Sequence, residues 1–369
     1  MGRHRAPPAG YLRTRGRVSV LRNRWVRAAA VLIVAGGLSA LFVLHGPNWG
    51  RVADAFASVR WEWVAAAVGL NLLSVIVRAL AWRTVIVQAM PPPHPSFMLV
   101  FSAFSIGLFA NAILPGRVGE LARVAVLDRK LREQQETAWA VLLGTVFAHR
   151  VFDLVAATAL IVFVVSTAHI PDWAVTSLIV VVIAGVVLFS VAVLSARRRE
   201  FSDLGGLSSV RKVVRLGRYG LGVMREPAAA ALAAFFQILG WTCQLFAVWA
   251  AMHAFGIHKG LPAAGVVLVL VNVATIFPLW PGNVGLVQAA IAIPLNSYYG
   301  VPRSVGVAFG FGLQAIEASV GVGVGLIFLA REGLSFAMLK VMPDASQAEV
   351  PAGVRAQADA DPASARVPG

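Results

Sequence analysis

Long apolar stretches separated by short polar ones run along most of this chain. An apolar run at 28–44 follows the opening segment 1–27, and further runs lie at about 61–82, 97–114, 137–169, 173–195, 227–255, 261–295 and 304–330. Several exceed about 18 residues, the length a helix needs to cross hydrocarbon. Trp49, Val52, Phe56 and Val59 recur at helical spacing, with Arg51, Asp54 and Arg60 off that face. That pattern predicts a short amphipathic helix at the outer interface. The expected fold class is an all-α polytopic integral membrane protein.

Two of the apolar runs are interrupted in the same way. Leu114-Pro115-Gly116-Arg117-Val118-Gly119-Glu120 and Trp280-Pro281-Gly282-Asn283-Val284-Gly285 share the spacing P-G-x-x-G, 166 residues apart. Proline removes a backbone donor and breaks a helix. In a bilayer, broken helices persist only against protein or a water-filled cavity. A matched pair of breaks in two halves of a chain points to a substrate site in a transporter-like protein.

Composition agrees with a membrane protein: 58% of residues are hydrophobic and 13% charged, against about 25% charged in a soluble protein. The longest polar stretches are 1–27, about 196–226 and 331–369, and none reaches the roughly 100 residues of an ordinary soluble domain. The net charge of +15 is not read as a nucleic-acid signal. The Lys and Arg cluster beside spans, where they set topology and meet anionic headgroups. One cysteine, Cys243, excludes an internal disulfide or a cysteine-based metal site.

Charge also orders the spans. Segment 1–27, with eight Arg and no acid, is expected to be a basic cytoplasmic segment ahead of an uncleaved first span. The run 61–82 then returns to the cytoplasm. A full crossing by 97–114 would start the basic cluster Arg117, Arg123, Arg129, Lys130 and Arg132 on the outside, against the positive-inside tendency. A re-entrant hairpin over 97–128, turning at Pro115-Gly116, removes the conflict. Loop 196–226 carries eight Lys/Arg against three acids, as a cytoplasmic loop should. About six full spans plus two Pro-Gly-broken hairpins follow, entering from opposite faces as a candidate inverted repeat. Full crossing by both broken segments restores the same register. The domain plan is 1–27, a membrane domain over 28–332, and a low-complexity tail over 333–369 expected to be disordered and cytoplasmic.

Charged groups at membrane depth are costly and face a cavity or a partner. Glu120 and Arg123 stand three apart after the first break, where they can pair. Arg150 and Asp153 repeat that spacing within 137–169, beside His149. Glu317 lies mid-span, one turn after Gln314, and Asn71, Arg78, Asn111, Asn272, Asn283 and Gln288 add further polarity. For each pair the bland reading is a salt bridge that locks helices. The functional reading is a phosphate held by the forked guanidinium and by free N–H groups of the half-helix after Gly116. For Glu317 the bland reading is a packed acid bonded to Gln314 or to a neighbouring helix. The spacings Gly306-xxx-Gly310 and Gly321-xxx-Gly325 permit close helix contact, within the bundle or at a homodimer seam. No G-x-x-x-x-G-K-[ST] loop, H-E-x-x-H helix or G-x-S-x-G elbow is present, so no cofactor is expected.

The run Asn111-x-x-Leu114-Pro115-Gly116-Arg117-x-Gly119-Glu120-Leu121-x-Arg123, followed by His149-Arg150-x-x-Asp153 and Pro278-x-x-Pro281-Gly282-Asn283-x-Gly285, resembles the lysylphosphatidylglycerol synthase transmembrane (flippase-like) family. Arg78-Ala79-Leu80-Ala81-Trp82-Arg83 fits that family's R-x-L-x-W-R box. The resemblance covers roughly 30–332. It implies a lipid-translocating domain, related to the half of aminoacyl-phosphatidylglycerol synthases that moves modified phospholipid between leaflets. The soluble aminoacyl-transferase domain is missing from these residues, so lysyl-lipid synthesis is not carried over. The family often has Glu after its second P-G-x-x-G, where this chain has Gln288.

The expected function is therefore translocation of a phosphate-bearing phospholipid or glycolipid across the cell membrane. The candidate substrate-binding residues are Asn111, Pro115, Gly116, Gly119, Glu120, Arg123, Arg150, Asp153, Pro281, Gly282, Gly285, Gln288 and Glu317. Arg123 and Arg150 would hold the phosphate, with Glu120 and Asp153 orienting them. Two rivals stand beside it: a membrane-embedded transferase on a lipid-linked substrate using Glu120 or Asp153 as base, and a non-catalytic subunit of a cell-envelope complex.

Overall fold

The computed structural model of the protein describes residues 47–113, 118–132, 139–168, 170, 172–197, 223, 226–276 and 281–331. The expected basic segment 1–27, the first span 28–44, Pro115, Gly116, most of loop 196–226 and the tail 333–369 lie outside them. Contacts divide the chain into Met1–Trp49 and Gly50–Gly369, and the architecture below is that of the second unit.

Every regular element among the described residues is helical. In chain order they are α1 (Trp49–Ala57), α2 (Trp61–Ala89), α3 (Phe97–Ile113), α4 (Gly119–Arg132), α5 (Trp139–Thr167), α6 (Asp172–Arg197), α7 (Pro227–Ala254), α8 (Leu261–Ala274), α9 (Leu286–Tyr299) and α10 (Arg303–Arg331), with a 3-10 turn at Pro281–Asn283 before α9. Residues 61–89, 141–167, 227–254 and 303–331 are long and apolar enough to cross a membrane. Phe147, Val162, Ile179, Val180, Phe235 and Ile327 face outward, which suits surroundings of lipid and not of water. The short amphipathic helix is α1, with Val52 buried and Phe56 edge-on to Phe255 at 5.4 Å between ring centroids.

α3 ends at Ile113 and α4 begins at Gly119, on either side of the first Pro-Gly step, and the second step lies in the 3-10 turn Pro281–Asn283 between α8 and α9. α3 is 17 residues long and α4 is 14; at 1.5 Å per residue each spans roughly 20–25 Å, short of the ~30 Å hydrocarbon thickness. The two fold back on each other. Gly119 N–H donates to Asn111 Oδ1 at 2.8 Å, and a Cβ at Gly107 would stand 3.0 Å from Arg123 Cβ. Positions equally far before and after the break thus meet, which makes α3–α4 an antiparallel hairpin.

The order long, short, break, short, long occurs twice: 29, 17, 14 and 29 residues in α2–α5, then 28, 14, 14 and 29 in α7–α10. The packing repeats as well. α3 lies on α10 of the other half, and α8 lies on α5. Phe101 meets Phe328 at 5.3 Å where the equivalent Gly265 leaves room for Val164. The equivalent helices α2 and α7 form the most extensive helix–helix contact among the described residues, and they run antiparallel. Arg60 N–H bonds Ala254 O at 3.0 Å, Trp63 sits edge-on to Trp249 at 5.5 Å, and Ser74 Oγ–H donates to Gly240 O at 2.7 Å. Ser74 and Gly240 are themselves equivalent positions, 166 residues apart. Equivalent helices crossing head to tail at equivalent residues are the arrangement of an inverted repeat.

Glycines set the close approaches in α10. Gly306 faces Ala292 and Gly310 faces Gln288, while Gly325 seats Phe109 and Ser105. These spacings therefore serve packing within the bundle.

Candidate functional site

The first half gathers its charges where α2, α4, α5 and α7 meet. Asp153, on α5, is the hub. Its Oδ1 accepts from Arg78 Nη2 at 3.0 Å, from Trp241 Nε1 at 3.1 Å and from Gln237 Nε2. Its Oδ2 accepts from Arg150 Nη1 at 2.8 Å. A buried carboxylate persists when every lone pair is engaged by a donor, especially a charged one. The i, i+3 spacing of Arg150 and Asp153 thus forms the pair expected from the sequence.

Glu120 departs from expectation. Its carboxylate takes Arg150 Nη2 and not the Arg123 guanidinium one turn along α4. Arg150 consequently bridges the hairpin to α5 and holds two carboxylates at once. Its side chain keeps 41% exposure and that of Glu120 28%, so this latch is the accessible part of the site.

Arg123 points inward instead. It is 4% exposed, with its guanidinium carbon 4.7 Å from the Trp82 ring centroid and 5.4 Å from that of Phe104. Aromatic faces hold a cation in this way. Trp82 is fixed in turn by Nε1–H donation to Thr145 at 3.1 Å. Arg123 Nε and Nη2 are buried without a hydrogen-bond partner. His149, 1% exposed, lies with Nε2 3.3 Å from the Arg78 carbonyl oxygen and its ring edge-on to Phe104 at 5.9 Å.

Four members were not assigned to the site from sequence: Arg78, Gln237, Trp241 and Trp82. Arg78 and Trp82 stand one turn apart in the R-x-L-x-W-R box, and Arg78 is a charge inside an apolar span. That signal was legible. Gln237 and Trp241, one turn apart on α7, join only through tertiary packing.

The second half builds a counterpart without arginine. Counted from their helix starts, Gln244 takes the place of Arg78, Gln314 of Arg150 and Glu317 of Asp153. Gln244 Nε2 donates to Glu317 Oε1 at 3.1 Å, so Glu317 pairs across to α7 and not with Gln314. Gln288 Nε2 donates to Gln314 Oε1 at 2.5 Å, and Gln314 Nε2 to Gly282 O at 2.5 Å. Gly285 N–H closes the chain on Gln288 Oε1 at 2.6 Å. Gly282 and Gly285 hold φ of 69° and 91°, the region that favours glycine. Pro281 opens the turn. This break is thus latched to α10 by amides where the first is latched to α5 by an ion pair.

The chain is 26% identical over 306 residues, 76% of its length and 88% of the relative's, to a UPF0104 membrane protein of Methanothermobacter thermautotrophicus. No solved structure matches it. The family model described as the lysylphosphatidylglycerol synthase TM region matches residues 27–325, which takes in both breaks and both polar clusters, and the chain belongs to that family.

Proposed function

We propose that this protein binds the phosphate of a phospholipid or glycolipid headgroup at the Arg150 cluster and moves the lipid between leaflets of the cell membrane. The observation that carries the reading is the charge and bonding of that cluster. Three arginines, Arg78, Arg123 and Arg150, face two carboxylates, Glu120 and Asp153, and the Arg123 guanidinium is buried with two nitrogens unpartnered. A buried cation left without its hydrogen bonds is costly, and a phosphate supplies both charge and acceptors.

Asp153, engaged by four donors, orients Arg78 and Arg150 and is not itself free to bind. Glu120 is the exchangeable ligand of Arg150. A phosphate arriving at Arg150 competes with it, and releasing Glu120 frees the α3–α4 hairpin from α5. On this reading the hairpins are re-entrant, the chain makes six full crossings including 28–44, and both termini are cytoplasmic. Antiparallel α2 and α7, with hairpins shorter than the hydrocarbon, support that count.

The test is leaflet exchange of fluorescent phospholipids and glycolipids in liposomes, read with a membrane-impermeant quencher. Arg150→Ala should lower exchange to the protein-free level while the protein still elutes as a single folded species. Glu120→Gln, which removes the competing carboxylate, should retain exchange and tighten binding of phosphate lipids. Wild-type exchange from Arg150→Ala, or no exchange with any lipid from folded wild type, would overturn the reading.

A further inference from the structure

We infer that Glu317 is a proton-binding site, and that one proton taken up and released there accompanies each lipid movement. The inference rests on the translocator reading above and adds its energy source.

The argument begins with the two acids in equivalent places. Asp153 and Glu317 stand equally far from the starts of α5 and α10, and each bonds the equivalent residue of the crossing helix, Arg78 or Gln244. Asp153 has two arginines and two further donors. Among the described residues, Glu317 has one bond, from a neutral amide. It sits at the midpoint of the 29-residue α10. An ionised carboxylate at that depth needs a cation or a full set of donors, and one amide is neither. Binding a proton converts Glu317 to a neutral acid that keeps the Gln244 bond.

The surroundings add no hidden counter-charge among the described residues. α10 packs on α2, α3, α7 and α9. α3 carries no ionisable side chain, and α9 carries only Tyr298 and Tyr299 at its end. On α7, Cys243 is buried and His253 bonds Trp249 O. On α2, Glu62 pairs with Arg60, Arg83 bonds Pro95 O, and Arg78 is committed to Asp153. Arg303 and Arg331 lie at the ends of α10 itself.

The site is also connected to the lipid site. Gln237, Trp241 and Gln244 lie on one face of α7 at i, i+4 and i+7. The first two bond Asp153 and the third bonds Glu317. At 1.5 Å rise per residue, the two acids are served by α7 positions about 10 Å apart. A change at Asp153 that moved α7 would therefore move Gln244 and alter how well Glu317 holds a proton. In one cycle a proton enters from one side and the same proton leaves to the other, so charge and atoms balance.

The experiment uses the same liposomes, containing the phosphate lipid that wild type exchanges, with and without a gradient of one pH unit. That gradient offers up to about tenfold in the leaflet distribution per coupled proton. Wild type should accumulate labelled lipid in one leaflet under the gradient. Glu317→Gln should lose that accumulation, its leaflet distribution being the same with and without the gradient. A second measurement needs no transport: acid-minus-alkaline infrared difference spectra of the purified protein should contain a carboxylic-acid carbonyl band that Glu317→Gln deletes. Wild-type exchange indifferent to the gradient overturns the inference while leaving the lipid reading intact. Absence of any exchange overturns the lipid reading, and a missing Glu317 band then overturns the proton site as well.

Discussion

Replacing Asp153 by Ala is expected to destabilise the protein by about 3–5 kcal/mol, the range for removing one partner of a buried ion pair. The loss is large because Asp153 is shared. Arg78, Arg150, Gln237 and Trp241 all donate to it, and the four donors sit on three helices. Without the carboxylate, two guanidinium groups face each other with Glu120 alone to balance them. The measurement is the melting temperature of detergent-purified protein, followed by size-exclusion recovery after heating. A double variant sharpens it. Arg78→Gln combined with Asp153→Glu rebuilds, in the first half, the pairing found at Gln244 and Glu317, and should recover part of the loss. Strictly additive effects of the two substitutions would show that the residues act independently and that the hub is not one.

Gly119→Ala should also be damaging, for a steric reason. A Cβ there would run into the backbone carbonyl oxygen of Gly107 and the side chain of Asn111. No rotamer relieves a clash with backbone, so α3 and α4 must separate, and overpacking of this kind costs about 1–3 kcal/mol. Separation also breaks the Gly119 N–H bond to Asn111 and pulls the α3–α4 hairpin apart beside Arg150. Lipid exchange should therefore fall together with melting temperature. Gly69→Ala is the control. Nothing lies within 4 Å of its added Cβ, and alanine favours a helix interior over glycine, so exchange and stability should be unchanged or improved. Equal behaviour of the two variants would mean that the hairpin contact does not position the latch.

Much of this architecture is legible in the sequence. Apolar runs place most of the helices, because the bilayer demands long uninterrupted stretches and tolerates few exceptions; α2 runs to Ala89 past the expected 82, and α4 is placed by the charge conflict and not by an apolar run. Both interruptions were visible as Pro-Gly steps for the same reason. Arg150 and Asp153 could be paired because they share one helix face. Glu120 and Arg123 obey the same spacing yet do not pair. A neighbouring helix offers Glu120 the Arg150 fork, and Trp82 and Phe104 offer Arg123 an aromatic bed. Local spacing states which partners are within reach, and tertiary packing chooses among them. Arg78 and Gln237 illustrate the remainder, since their meeting at Asp153 joins residues 75 and 84 positions away from it.

The interleaving of the two halves has a consequence for how the chain is made. α2 finds its largest interface on α7, α3 packs on α10 as extensively as on α4, and part of α5 lies on α8, so the earlier half is made before much of what it packs against. During that interval the faces meant for α7 and α10 meet lipid or the insertion machinery, and Asp153 lacks the donors that Gln237 and Trp241 bring. The Arg78–Asp153 pair lies wholly within the first half, and it can shield those charges while translation continues. That salt bridge needs nothing from the second half, so it would be available to balance charge in an unfinished first half.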